Sequence, residues 1–308
     1  MDVSARPSCE QDLVTTADCK HPDVRPECVG GWCRIPRGCF VAGAPQCEPG
    51  RARDSEPQVQ VTLTHDFEIQ QYETSQAEWV ALGLANHSND ADPNIRSCAD
   101  PGCPVSNVSM QDAARFANKL SESRGLPSCY RFDQCTLEDG GVFMRCAVWE
   151  QTVASLYDCQ GYRLPTELEW EYAARAGTKS AVYSGDIVPV VSGCDWSESA
   201  DRIGWYCGNS DRSIRPSGRK AANAWGLYDT SGNVSEWVTT VFDGAGYAKG
   251  PLIDPFPKLV PNQQIDISRG GGAGGRLSMM RSASRYMNSP NVHAVGFGFR
   301  LVRTLPNR

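Results

Sequence analysis

The sequence predicts an α+β fold with few helices, short strands and much irregular structure. Three observations predict it. Helix-capping signatures occur at three places, all before residue 178. The stretch VQVTLTHDFEI alternates as a strand does, with Val59, Val61 and Leu63 on one side and Gln60, Thr62 and Thr64 on the other. From about residue 178 to 308 the chain is turn-rich, with short apolar runs and no long helix.

Residues 1 to about 50 are rich in Cys, Pro and Gly and show no helical or strand periodicity. Such a segment buries little core, so it is expected to be a disulfide-tied cap on a main domain running from 51 to 308. The alternating stretch after it predicts a hairpin-like entry to that domain. In TSQAEWVALG, Ser75 and Glu78 have capping-box spacing and Gly83 closes the turn. Ser109 and Asp112 open a second helix with Ala113, Phe116, Ala117 and Leu120 on its apolar face, stopped by Gly125 and Pro127. In LPTELEWEYAARAGT, Thr166 and Glu169 repeat the box and Gly177 ends the helix. Glu167, Glu169 and Glu171 on that helix are expected as caps and solvated face.

A 308-residue chain with 40% hydrophobic residues can bury a substantial core. No apolar run is long enough to span a bilayer. A net charge of −6 with sparse Lys argues against nucleic acid as partner, because phosphate binding needs a concentrated basic surface. The fourteen cysteines fall into even groups: six between Cys9 and Cys47, then Cys98 with Cys103, then Cys129, Cys135, Cys146 and Cys159, and finally Cys194 with Cys207. No two have the C-x-x-C spacing of structural zinc sites, so local disulfides are the expectation. They imply an extracytoplasmic protein: periplasmic, cell-surface or secreted. The opening residues carry no apolar leader, so Met1 is expected to be a trimmed start. Asn86, Asn107 and Asn233 each begin a glycosylation sequon.

Four stretches then occur in order: YRLPTELEWEYAARAGT, NAWGLYDTSGNVSEWV, RGGGAGG with RSASRYMNSP, and GFGFRLVR. Together they closely resemble the formylglycine-generating enzyme family, also called sulfatase-modifying factors. CRIPRGCFVAG, YETSQAEW and CPVSNVSMQDAARFANKLSE fit as well, so the likeness covers roughly residues 33 to 303. It implies the family's own fold, a C-type-lectin-like variant.

The resemblance also implies a site, residue by residue. Formylglycine-making relatives bind copper(I) with two cysteines just before an Arg-x-Ala-x-Arg segment. Here GGGAGGRLSMM precedes RSASR and contains no cysteine. Thiolates make such a site soft enough for copper(I), so the relatives' oxidation is not expected. Met279 and Met280 are thioethers in that stretch and read as packing. Relatives with a non-haem iron site use an HxxxHxE triad, and His21, His65, His87 and His293 do not have that spacing. Neither copper nor iron is therefore supported. Relatives like the pyoverdine tyrosine-oxidation proteins lack the copper cysteines and keep an oxidase alternative open.

Calcium is implied at Asp229, Thr230, Gly232, Val234 and Glu236, the middle three mainly through backbone oxygen, and a hard cation suits such a curved loop. A plain Gly-Asn surface turn is the alternative. The cleft is implied to be lined or braced by Arg281, Ser282, Arg285, Asn288 and Ser289, either as ligand clamps or as buried ion pairs. Gly270, Gly272 and Gly275 match G-x-G-x-x-G, but about thirty residues follow, too few for a dinucleotide fold. Close backbone approach in a bent strand is the expected reason for them. The function expected is a calcium-stabilised, non-oxidising member that binds a peptide, saccharide or partner protein in the cleft. The alternative is an oxidase or oxygenase of the same superfamily, pyoverdine-like or sulfatase-modifying, with a metal site the sequence does not reveal.

Overall fold

The structure is a computed structural model describing residues 19–306, apart from 53–55, 91, 139–142, 188–192, 240–246, 248–249, 257–264 and 290. Cys9 and the rest of the first 18 residues lie outside the described residues. In chain order the elements are β1 (Cys28–Val29), β2 (Trp32–Ile35), β3 (Gly38–Ala42), β4 (Val59–Leu63), β5 (Phe67–Gln70), α1 (Gln76–Ala81), α2 (Met110–Ser123), β6 (Tyr130–Glu138), β7 (Phe143–Gln151), α3 (Glu167–Arg175), α4 (Glu198–Asp201), β8 (Ser235–Val238), β9 (Leu252–Ile253), β10 (Asp266–Arg269), β11 (Tyr286–Asn288), β12 (Phe297–Gly298) and β13 (Val302–Thr304). Few helices, short strands and long irregular connections are as the sequence predicts.

The three capping boxes all form. Ser75, Ser109 and Thr166 each accept from the backbone N–H three residues on, and Glu78, Asp112 and Glu169 reach back to the cap. Ala113, Phe116 and Ala117 are buried, and Leu120 packs half-buried against the same core. There Phe116 stacks on Trp79 at 5.5 Å and meets Phe299 edge-on at 5.4 Å, while the Trp237 indole N–H donates to Val108 O at 2.8 Å. The core thus joins the first two helices to strands near the C-terminus.

Strand pairing departs from expectation. The sheets run β1-β2-β5-β13, β11-β10-β8-β12, β3-β4-β9 and β6-β7. Val59, Val61 and Leu63 are buried as read, and Gln60 is buried too. However, β4 pairs antiparallel with β3 and parallel with β9, while β5 pairs with β2 and β13. The expected hairpin does not form, because Thr64 and His65 turn the chain out of one sheet into another. Thr64 N–H and Oγ1–H both donate to Asp254, which holds that exit against the segment after β9.

The same pairing revises the expected cap. Residues 28–42 supply strands to two sheets of the main body, with Cys33 opposite Ile69 and Phe40 opposite Val61. Partners up to 38 positions away, Trp32 with Gln70, form these pairs, and no local periodicity reports them.

Disulfides form within the predicted groups: Cys19–Cys39, Cys28–Cys33, Cys98–Cys103, Cys129–Cys159, Cys135–Cys146 and Cys194–Cys207. No described cysteine is free. No helix among the described residues is long and apolar enough to cross a membrane.

Candidate functional site

The loop GLYDTSGNVSEWV leads into β8 and is buried almost throughout. A surface turn is therefore not what it forms. Gly232 has φ +97° and lies against the backbone of Trp205, where a Cβ would meet the Trp205 carbonyl oxygen at 2.3 Å; only glycine fits. Asp229 is also left-handed, with φ 55°. Its Oδ2 accepts from Gly218 N–H at 2.6 Å, whereas its Oδ1 and the Thr230 Oγ1 are buried with no hydrogen-bond partner. Unpaired buried oxygens carry a desolvation cost that a hard cation would offset. Burial lifts the Asp229 carboxyl to about 6.

Glu236 is placed differently from expectation. Its Oε1 accepts from Arg300 Nη2 at 2.6 Å, and its Oε2 accepts from Arg300 Nε at 2.7 Å and the Trp170 indole N–H at 2.7 Å. The carboxylate is committed to a bidentate arginine pair and is not presented to the Asp229 oxygens as a free ligand.

A carboxylate missed by the sequence reading completes the cluster. Glu73, between β5 and α1, is buried and accepts from Val234 N–H at 3.1 Å, Asn233 Nδ2 at 2.8 Å and Ser217 Oγ at 2.9 Å. Burial pushes its carboxyl well up, and repulsion from Asp229 and Glu236 adds to this. The available signal was an acid in YETSQAEW lying just outside the helix's own capping box. Three carboxylates thus surround the single guanidinium of Arg300. Fit to calcium rests on Asp229, Thr230 and backbone oxygen. No three His, Cys, Asp or Glu side chains converge on one metal position among the described residues.

The expected cleft arginines are occupied. Arg281 donates from Nε to Ser278 O, from Nη1 to Glu48 and Glu56 at 2.7 Å each, and from Nη2 to Gly50 O at 2.8 Å and Glu56 at 2.9 Å. All five donors are used, leaving none for a ligand. Arg285 forms a bidentate pair with Glu167 at 2.5 and 2.8 Å. Asn288 donates to Ser268 Oγ and Tyr286 O within the β10–β11 ladder. Ser282 is buried with an unpartnered hydroxyl, and Ser289 is exposed. Of the five, only Ser289 faces solvent, beside the exposed Tyr286 and Met287 on β11.

The α3 carboxylates are likewise buried and not a solvated face. Glu167 pairs with Arg285 and Arg269, Glu169 with Arg163 and His65, and Glu171 with Arg175 and Arg269. The solvated-face expectation failed because each partner is distant in sequence, apart from Arg163 and Arg175.

The remaining expectations resolve simply. Met280 is buried among Tyr206, Leu277 and Ile203, which is packing. His21 stacks on Trp225, His293 stacks on Phe143, His87 lies 3.5 Å from Asp90, and His65 is buried between Glu169 and Asp254. Gly270 and Gly271 have φ +85° and +69° directly after β10, and the Gly270 carbonyl accepts from Gly232 N–H. The glycine stretch is therefore a bent-strand feature beside the Asp229 loop. Asn107 and Asn233 are buried, and Asn86 bonds Gln76 and the Ser88 N–H.

Small sheets, few helices and a buried arginine–carboxylate lattice around the Asn-Val-Ser-Glu-Trp loop define a formylglycine-generating-enzyme fold. The chain belongs to the sulfatase-modifying factor enzyme 1-like (FGE-sulfatase) domain family, whose model matches residues 20–305. It is 32% identical over 186 residues to the chaperone protein LppX of Paenibacillus barcinonensis, across 58% of this chain and 62% of that relative, which is less than two thirds of its length. It is 26% identical over 313 residues to a formylglycine-generating enzyme of Streptomyces coelicolor, across 91% of each chain. Among solved structures it superposes on PvdO from Pseudomonas aeruginosa with a TM-score of 0.66 and 25% identity, covering 89% of this chain and 94% of that one.

Proposed function

We propose that this protein is an extracytoplasmic, calcium-stabilised member of the family that binds a peptide, saccharide or partner protein in the family cleft and does not make formylglycine. The observation that carries the reading is the state of the sulfur: every described cysteine is in a disulfide, and Met280 is packed in the core. The copper(I) site that the resemblance implies is built from thiolate donors, and an oxidised cysteine supplies none. The disulfides themselves support an oxidising compartment. With Arg281 and Arg285 committed to internal carboxylates, recognition falls to the exposed edge formed by Tyr286, Met287 and Ser289. A relative named as a chaperone supports binding of a protein client.

Calcium in this reading sits against Asp229 Oδ1 and Thr230 Oγ1, with the Gly232 and Val234 carbonyls as further donors, and Glu236 remaining on Arg300. Calcium at a hundred times its Kd is expected to raise stability by about 2.7 kcal/mol. Asp229→Asn is expected to abolish that rise, read as a calcium-dependent shift in Tm. Elemental analysis tests the whole reading: stoichiometric calcium alone supports it, and stoichiometric copper or iron overturns it. The likeness to PvdO and to the Streptomyces enzyme favours the second reading, an oxidase or oxygenase of the same superfamily, which that copper or iron would establish.

A further inference from the structure

A cavity of about 240 Å³ lies between the β1–β2 turn and the C-terminal ends of α1 and α2, and none of its lining residues belongs to the Asp229 loop or β11. Its floor is Phe116, Leu82 and Leu120. Its wall is the Trp32–Tyr162 ring pair, with centroids 4.8 Å apart and planes tilted by 38°. Neither the Trp32 indole N–H nor the Tyr162 hydroxyl has a protein partner among the described residues.

Two charges of opposite sign stand at the rim. Arg124 is exposed and has no ion pair among the described residues, in contrast to Arg303 across the Tyr162 ring, which is paired with Glu68 at 3.1 Å. Glu78 is fixed in place: Oε2 accepts from Ser75 N–H at 2.8 Å and Oγ–H at 2.7 Å, and Oε1 from Gln70 Nε2 at 3.3 Å. Carboxylate oxygens hold more lone pairs than these bonds use, so Glu78 still accepts.

We propose that this cavity is a second binding site, for a single acidic sugar unit of the hexuronate type. Such a ring has an apolar C–H face for Trp32 and Tyr162, hydroxyl donors for Glu78, and a carboxylate for the unpaired fork of Arg124. A phenylalanine side chain would fill the same volume but offers Glu78 no donor. The volume suits one sugar ring and is below the usual range for drug-sized ligands, so affinity in the millimolar range is expected, near −4 kcal/mol.

The test is calorimetric titration of the intact protein with D-glucuronate, D-glucose and an acidic phenylalanine-containing peptide. Arg124→Gln and Trp32→Phe are titrated in parallel, after melting curves show that they fold as the parent does. The expected result is saturable binding of glucuronate, glucose at least about tenfold weaker, and a loss of about tenfold or more in glucuronate affinity for Arg124→Gln. Absence of glucuronate binding overturns the assignment, as does binding that survives Arg124→Gln, which would put the sugar elsewhere. Binding of the peptide in place of the sugar also overturns it. The calcium dependence of Asp229 plays no part in these outcomes, so the two sites are judged separately.

Discussion

Arg281 shows how a residue that looks like a ligand clamp is a structural tie. Its five N–H donors are consumed by Glu48, Glu56, Gly50 and Ser278, which draw the loop after β3 down onto the loop before β11. Replacing it with Met would leave two buried carboxylates without a counter-charge. Loss of one partner from such a pair costs about 3–5 kcal/mol. Urea denaturation of Arg281→Met is expected to show that loss, whereas a ligand-contacting arginine would leave the midpoint unchanged. The residue type was readable at this position, but its partners were not, because Glu48 and Glu56 lie more than 200 positions upstream.

At the scale of elements, α3 is the hub. Its N-terminus is closed by Thr166, whose hydroxyl accepts the Glu169 N–H at 3.2 Å, and Glu169 answers by binding the Thr166 N–H at 2.9 Å. Thr166→Ala is expected to cost about 1–2 kcal/mol in thermal or chemical unfolding. Such boxes are legible in sequence because every participant lies within four residues. Strand partners and buried ion pairs are not, and there the reading missed the β3–β4 pairing and the Glu171–Arg269 bond.

His65 links α3 to two other segments, with Nε2 3.1 Å from Glu169 and Nδ1 3.2 Å from Asp254. Burial alone would lower its pKa, but hydrogen bonds to Asp254 and Glu169 and the charge of Glu169 outweigh it, raising the value to about 9 even with Arg163 nearby. A raised histidine stabilises the fold fully below its unfolded value near 6.5, and that contribution is lost as pH climbs through about 9. The Tm is therefore expected to fall between pH 7 and 9.5, and His65→Gln should flatten that fall. An unchanged slope in the variant would show that the charge on His65 does not couple to folding.

At the scale of the molecule, the six short-range disulfides among the described residues brace a body assembled from small sheets that cannot each bury a core alone. Loops of about fifteen residues closed this way contribute about 3 kcal/mol each in the chain-entropy picture. Alkylation of the folded protein is expected to leave these cysteines unmodified until reductant is added, by intact mass. Grouping of the cysteines was visible in sequence because pairing is local, with separations from 5 to 30 residues. Glu73 and the Arg300–Glu236 pair were not, since they bring together positions 73, 229, 236 and 300.

The same sulfur chemistry separates the proposed reading from a sulfatase-modifying activity. Purified protein loaded with copper(I) and given oxygen and a cysteine-containing sulfatase-type peptide should yield no aldehyde by mass spectrometry and no oxygen uptake above the peptide-free rate. Oxygen uptake with matching conversion of the peptide cysteine to formylglycine would contradict the account.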